Sequence, residues 1–133
     1  MSERERLSVI ILHVAELERS LHFYRDLLGI PLEHGFNDPE DDPWYGGPHV
    51  ELSYRDGAYL HFALFPVKPH GRATTGAELG FHVDDLAVVH ERVVAGSARV
   101  LHEPRHEPWG LTARYQDPDG NTVAITSRRK KAE

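Results

Sequence analysis

Two parts of the chain carry the same sequence pattern. Leu12-His13-Val14 is followed after two residues by a leucine, and Phe81-His82-Val83 is followed by a leucine at the same spacing. Each pattern precedes an amphipathic stretch, and each half closes with a polar turn before a last strand. A repeated strand–helix–strand unit predicts two similar sheets with a groove between them. The functional side chains are expected to line that groove.

Composition limits the class of protein. A chain of 133 residues is long enough for one domain with an ordinary core. The formal net charge of −6 argues against nucleic acid as a partner, because binding phosphates requires a basic surface. No apolar stretch approaches the roughly 18 residues that a membrane span needs, so no membrane association is expected. The absence of cysteine excludes disulfides and thiolate ligands and favours a cytoplasmic location.

The spacing of apolar residues predicts the order of helices and strands. Leu17, Leu21, Tyr24 and Leu28 recur at helical spacing, which predicts a helix over residues 16–28. The second half repeats this pattern with a helix over residues 85–95. The predicted strands cover residues 9–14, 31–36, 49–54 and 59–65 in the first half and 78–83, 99–103, 111–116 and 122–127 in the second, with a crossing over residues 104–110.

Alternation along each predicted strand separates an apolar face from a polar one. The apolar face is expected to pack on the helices, and the polar face, which is rich in titratable side chains, is expected to line the groove. Trp109, on the predicted crossing, is expected to cover the groove mouth. With Trp109, the candidate ligand-binding residues are His13, Glu51, Tyr59, His61, Glu78, His82 and Arg114.

Three motifs resemble the vicinal oxygen chelate superfamily, which contains glyoxalases, bleomycin-resistance proteins and extradiol dioxygenases. They are residues 14–29 with Phe23-Tyr24 near the centre, residues 82–86, and the turn at residues 117–121, and together they span nearly the whole chain. The resemblance implies an α+β fold of two tandem βαβββ modules, about residues 7–67 and 76–127, in a single domain over 1–133. The modules would form a curved mixed sheet around the groove. It also implies a homodimer, as in most members.

The resemblance further implies four places for the ligands of a divalent metal, two in each module. Counting back from the valines before the helices puts two of them at Val9 and Glu78, and the last-strand places fall at His61 and Ala124. Valine and alanine have no donor atom, and a tight site normally needs at least three protein ligands. Neither a metal nor a cofactor is therefore expected.

Several candidate residues allow more than one role. His61 and Glu78 are interpreted first as hydrogen-bonding groups, second as an acid–base pair and third as the remnant of a metal site. His13 and His82 either contact a ligand or cap backbone carbonyls. Arg114 either binds an acidic group of a ligand or pairs with a glutamate.

These observations favour a metal-independent small-molecule-binding protein, closest in kind to the bleomycin-resistance branch, with its ligand in the groove. Trp109, with Trp44 and Tyr45 on an acidic loop, suits either a ligand platform or a dimer interface. The acidic balance would suit a cationic ligand. The alternative is an enzyme whose catalytic residues stay unknown: a metal-dependent lyase, isomerase or dioxygenase, or a metal-free catalyst using His61 and Glu78. A third reading is a structural dimer with a vestigial groove.

Overall fold

The computed structural model describes residues 5–55 and 60–127 and contains two four-stranded sheets with the same strand order. In each sheet the first and last strands are parallel neighbours, and the other pairs are antiparallel. This confirms the predicted α+β fold of two βαβββ modules. The first sheet has the order β1-β4-β3-β2 and contains β1 (Val9–Val14), β2 (Glu33–Asn37), β3 (Gly47–Tyr54) and β4 (Leu60–Pro66). The second has the order β5-β8-β7-β6 and contains β5 (Glu78–Val83), β6 (Arg99–Glu107), β7 (Gly110–Gln116) and β8 (Thr122–Ser127).

One helix follows the first strand of each module. Helix α1 spans Leu17–Leu21 and continues as a π-helix over His22–Leu27, and helix α2 spans Leu86–Ala95. The Asp85 side chain caps α2, because its carboxylate accepts hydrogen bonds from the backbone N–H groups of Ala87 and Val88 at 3.0 and 3.4 Å. Gly29 follows the first helix with a φ of 81°, a conformation that favours glycine.

The chain separates into two compact units that do not coincide with the two halves of the sequence. The first unit contains Met1–Glu18 and Pro31–Ala73, and the second contains Arg19–Ile30 and Thr74–Glu133. Most of the first helix therefore belongs to the unit of the second sheet. There the Tyr24 hydroxyl donates to Asp117 Oδ2 over 2.7 Å, and Arg92 Nε donates to the Leu27 carbonyl over 2.9 Å. That residues 1–133 form one domain stays a prediction.

The predicted alternation of faces is visible in both sheets, but β4 departs from it. In β7 and β8, Tyr115 and Val123 are fully buried, whereas Arg114, one position from Tyr115, is half-buried. In β4, every residue from Phe62 to Phe65 is buried, so this strand is enclosed on both faces. Ala63, which alternation assigns to the groove face, consequently exposes no surface.

Strand β6 is longer than the sequence predicts, since it runs to Glu107 instead of ending at Glu103. It is an edge strand with shifts of register on either side of His102. An edge strand with bulges can continue through Pro104, because the missing N–H is not required by a neighbour. The predicted crossing is thus reduced to the turn around Trp109. Within the described ranges, no helix is long and apolar enough to cross a membrane.

Candidate functional site

The strand pairing of the first sheet fixes the neighbours of the candidate residues His61 and His13. His61 in β4 is opposite Val9 on one side and Ser53 on the other, and His13 is opposite Phe65. His61 Nδ1 and Ser53 Oγ are hydrogen-bonded at 2.9 Å. His61 is half-buried and therefore holds a defined position on this sheet. Tyr59, another candidate, and the Asp56-Gly57 turn lie outside the described residues.

Glu51 is held by His49, a residue that the sequence analysis did not single out. His49 Nε2 is hydrogen-bonded to the Glu51 carboxylate, and its Nδ1 lies 3.2 Å from the Gly47 carbonyl oxygen. The His49 ring also stacks on Phe65, with centroids 4.5 Å apart and planes at 13°. A Cβ on Gly35, opposite His49 in β2, would lie 2.7 Å from His49 Nε2. The sequence signal was present, because alternation puts His49 on the face of Glu51.

A cavity of about 310 Å³ opens in the first unit, where β1 and β4 end and the chain enters β3. Lys68 Nζ lies 4.1 Å from the centre of the Trp44 ring, and the rings of Tyr45 and Phe65 are 5.8 Å apart. The lining combines aromatic rings and prolines with a few ionisable groups: His13, Trp44, Tyr45, Gly46, Pro48, Phe65, Pro66, Val67, Lys68 and Pro69. Among the candidate ligand-binding residues that the structure describes, His13 is the one in this lining.

In the second unit, the candidate residues of β5 are open to solvent. Glu78 and His82 are both exposed on this strand. Gly80 between them is opposite Ala124, and a Cβ on Gly80 would meet nothing closer than 4.0 Å. Two small residues therefore form a shallow floor on this face, with Glu78 and His82 at either end.

Arg114 is engaged by neighbours on the edge strand of its own sheet. Its Nη1 donates to His102 Nε2 over 2.7 Å and to Glu107 Oε1 over 3.4 Å. His102 must therefore accept at Nε2, which leaves Nδ1–H to donate to the Glu103 carbonyl over 2.9 Å. Arg105, and after it Arg114, lower the pKa of the Glu107 carboxyl by hydrogen bonding. The glutamate that Arg114 contacts is Glu107, whereas Glu51, the other charged candidate on a strand face, is hydrogen-bonded to His49.

Trp109 stands at the other end of the same face and is held by a hydrogen bond. Trp109 is 56% exposed, and its Nε1–H donates to Thr112 Oγ1 over 3.0 Å. Thr112 Oγ1 is in turn 2.9 Å from Thr126 Oγ1 on the next strand. Trp109 thus presents an oriented indole to solvent.

The register of the sheets relocates one of the four implied metal places. Ala124 in β8 is opposite the residue two positions after Glu78. In the first sheet, the residue two positions after Val9 is opposite Ala63. Ala63, rather than His61, is therefore the equivalent of Ala124, and three of the four places have apolar side chains.

The donor set of the described residues does not fit the divalent metal that the resemblance implies. Across residues 5–55 and 60–127, no three His, Asp or Glu side chains are grouped so that they could hold a metal ion. A catalytic zinc site, for comparison, normally uses three protein ligands and leaves one position open.

Comparison with known proteins gives concordant matches. The chain matches the family model of the Glyoxalase/Bleomycin resistance protein/Dioxygenase superfamily over residues 6–125. A lactoylglutathione lyase of Haemophilus influenzae is 31% identical over 125 residues, which cover 90% of each chain. A probable chloroplastic lactoylglutathione lyase of Arabidopsis thaliana is 27% identical over 96% of this chain and 37% of its own length. TnmS3, an antibiotic binding protein from Streptomyces sp. CB03234, has a similar structure, with a TM-score of 0.69, 20% identity and coverage of 97% of this chain and 100% of that one.

Proposed function

The chain belongs to the Glyoxalase/Bleomycin resistance protein/Dioxygenase superfamily, and from this membership we propose that it is a metal-independent small-molecule-binding protein. The observation that carries the proposal is the cavity of about 310 Å³ in the first unit. Its volume falls at the lower end of the range of small-molecule sites, about 300–1,000 Å³. The fold is compatible with this role, because one protein that shares it is described as antibiotic binding.

The side chains at the implied metal places support the metal-independent part of the proposal. Val9, Ala63 and Ala124 have no donor atom, so Glu78 alone among the four places could contact a cation. A single exposed carboxylate holds a divalent ion too weakly to keep it through dialysis.

A metal-dependent lyase is the second candidate, and the relationship to the Haemophilus lactoylglutathione lyase favours it. That relative is 31% identical over nine-tenths of both chains. Such an enzyme would need donors displaced from the usual places. A metal-free catalyst using His61 and Glu78 is a further variant of the enzyme hypothesis, for which the His61–Ser53 hydrogen bond would orient the imidazole.

The candidates are separated by measuring metal content, binding and turnover on one preparation. Protein purified without an affinity metal is dialysed against a chelator, analysed for metals, and screened by thermal shift against a small-molecule panel. We expect much less than one metal per subunit and hits whose dissociation constants do not change when Zn²⁺ is added. One metal per subunit that survives dialysis, is lost on Glu78→Ala and supports lactoylglutathione lyase activity would favour the enzyme.

The two tryptophans of the chain allow the binding site to be located. Trp44 lines the cavity of the first unit, whereas Trp109 lies in the turn between β6 and β7. Trp109→Phe leaves Trp44 as the single indole, and Trp44→Phe leaves Trp109. We expect panel hits to quench the fluorescence of Trp44 in the first variant and to change that of Trp109 little. The reverse result would move the site to the face of Glu78, His82, Trp109 and Arg114.

The proposal includes a homodimer that acts in the cytoplasm. Several large apolar side chains are exposed, among them Phe36 on edge strand β2 and Leu101 on edge strand β6. Association would cover such surface and such edges. Light scattering at micromolar concentration tests this, and a monomer would contradict it. The absence of cysteine supports a reducing compartment, which fractionation of the native host would test.

A further inference from the structure

We infer that the cavity of the first unit takes a planar aromatic ligand that carries an acidic group, and that Lys68 binds the acid. This inference rests on the proposed function and specifies its ligand class. It departs from the cationic ligand that the overall acidic charge suggests. Three features of the cavity carry it: its walls, its local charge and the way in which Lys68 is held.

The walls favour a flat ligand of one or two rings. Trp44, Tyr45 and Phe65 contribute aromatic surface to a volume of about 310 Å³. Phe65 is fixed in place, since the buried His49 ring stacks on it with centroids 4.5 Å apart. Trp44 is 68% exposed, so its ring is accessible to a ligand that enters from solvent. Aromatic rings gain most from offset or edge-on contacts with other rings, which such walls provide.

The cavity lining carries a cation, although the chain as a whole is acidic. Lys68 lines the cavity, and the part of the lining that the structure describes includes no Asp or Glu. The nearby acidic loop uses its carboxylates for its own backbone: Asp38 accepts from the N–H of Glu40, and Asp42 accepts from the N–H of Tyr45, both at 2.9 Å. Lys68 is therefore the residue of the described lining that can pair directly with a ligand acid.

The backbone of Lys68 is held in a turn, whereas its side chain contacts an aromatic ring that a ligand could replace. Lys68 begins a turn in which Pro69 is second and His70 is third with a φ of 65°, closed by a 2.8 Å hydrogen bond from the Gly71 N–H to the Lys68 carbonyl. This is the pattern of a type II turn. The ammonium rests on the Trp44 ring, and no carboxylate of the described residues is within ion-pair distance of it. The acidic group of a ligand would form a charge-assisted hydrogen bond with the Lys68 ammonium. The ligand ring would then contact the Trp44 ring in place of the ammonium.

The test compares three probes of one shape and different charge. Binding of 2-naphthoate, 2-naphthamide and 2-naphthylmethylammonium is measured by calorimetry at low and high salt. We expect the carboxylate to bind about five- to tenfold more tightly than the amide, in line with a partly buried charged contact. The ammonium probe should bind most weakly, and the preference for the carboxylate should shrink at high salt.

Variants at Lys68 identify the group responsible. Lys68→Met keeps most of the length of the side chain and removes its charge, so it should abolish the preference for naphthoate and leave the affinity for the amide unchanged. Lys68→Arg should restore the preference. Arg72→Gln, which removes a nearby exposed cation outside the lining, is the matched control and should change nothing.

Specific outcomes would overturn the inference without touching the proposed function. Equal binding of carboxylate and amide by the unaltered protein, tighter binding of the ammonium probe, or equal weakening of both by Lys68→Met would remove the role of Lys68. Failure of all three probes while other panel compounds bind would show that the ligand is of another class. If no compound of any class binds, the proposed function fails as well.

Discussion

The imidazole of His49 lies between two hydrogen-bond acceptors, the carboxylate of Glu51 and the carbonyl oxygen of Gly47. The two contacts together hold the imidazole in one orientation. His49 is only 2% exposed, so its ring has little access to water while Glu51 is in place. This pair thus fixes the ring that stacks on Phe65 in the cavity wall.

Removal of the Glu51 carboxylate should destabilise the protein through His49. Glu51→Ala leaves a buried donor unsatisfied, and we expect the free energy of unfolding to fall by about 1–3 kcal/mol. Glu51→Gln keeps an acceptor oxygen and should lose less. Glu33→Gln is the control, because Glu33 lies opposite Glu51 on β2 and removing a like charge there should be neutral or slightly stabilising. Urea denaturation measures all three, and equal losses for Ala and Gln would contradict the role of the hydrogen bond.

Two glycines in strands should respond oppositely to substitution by alanine. A Cβ on Gly35 would lie 2.7 Å from His49 Nε2 and 3.0 Å from Glu51 Oε1, so we expect Gly35→Ala to cost about 1–3 kcal/mol. A Cβ on Gly80 would meet only a carbonyl oxygen at 4.0 Å. Gly80→Ala should therefore be neutral or stabilise by up to about 1 kcal/mol. Similar unfolding midpoints for the two variants would refute this difference.

The Ser20 hydroxyl should be dispensable. It is fully buried in helix α1, and its Oγ has no hydrogen-bond partner within the described part of the chain. Ser20→Ala is expected to raise the free energy of unfolding by about 1 kcal/mol, since it removes an unsatisfied polar group and improves helix propensity. Ser127→Ala is the opposite case, because Ser127 Oγ accepts from the Leu86 N–H over 2.7 Å. That variant should lose about 1 kcal/mol by the same measurement.

Stability should fall at alkaline pH partly because of Tyr115. Burial raises the pKa of Tyr115 to about 12, from about 10 in an unfolded chain. Between these values the unfolded chain releases the proton while the folded chain keeps it, so the free energy of unfolding decreases as pH rises above about 10. Tyr115→Phe removes this contribution, and its stability should depend less steeply on pH. Tyr24, whose pKa burial also raises, contributes equally in both proteins. Identical slopes in denaturation series from about pH 8 to 11 would rule this out.

The fold was predictable because local signals agree with it. The repeated His-Val pattern precedes both helices, and the turn at residues 117–121 supplies its own hydrogen bonds: the Asp117 carboxylate accepts from the backbone N–H groups of Asp119 and Asn121 at 2.9 and 2.8 Å. Such signals lie within a few residues of one another. The length of β6 was less accessible, since a proline normally ends a strand and the bulges that accommodate Pro104 depend on the partner strand.

The site was predictable only in part. Alternation puts Ser53 and His61 on one face of the first sheet, and their side chains are hydrogen-bonded there. That His13, Glu51 and His61 bind a ligand stays a prediction. Alternation did not identify Lys68, which lies in a loop and meets Trp44 only after the two loops are folded together. The equivalence of Ala63 and Ala124 also required the observed register, since counting along the sequence cannot detect a shift of two residues between sheets.

The membership of Arg19–Ile30 in the second unit has a consequence for how such a chain can evolve and be divided. A fragment that ended at Ala73 would keep this helix without the neighbours of Tyr24 and Leu27, and a fragment that began at Thr74 would leave Asp117 without the Tyr24 hydroxyl. Recombination at the midpoint would therefore separate a helix from the residues that bury it. The two halves share a sequence pattern, but a helix from the first half packs in the unit of the second sheet. A change on either side of that contact therefore constrains what the other side can become.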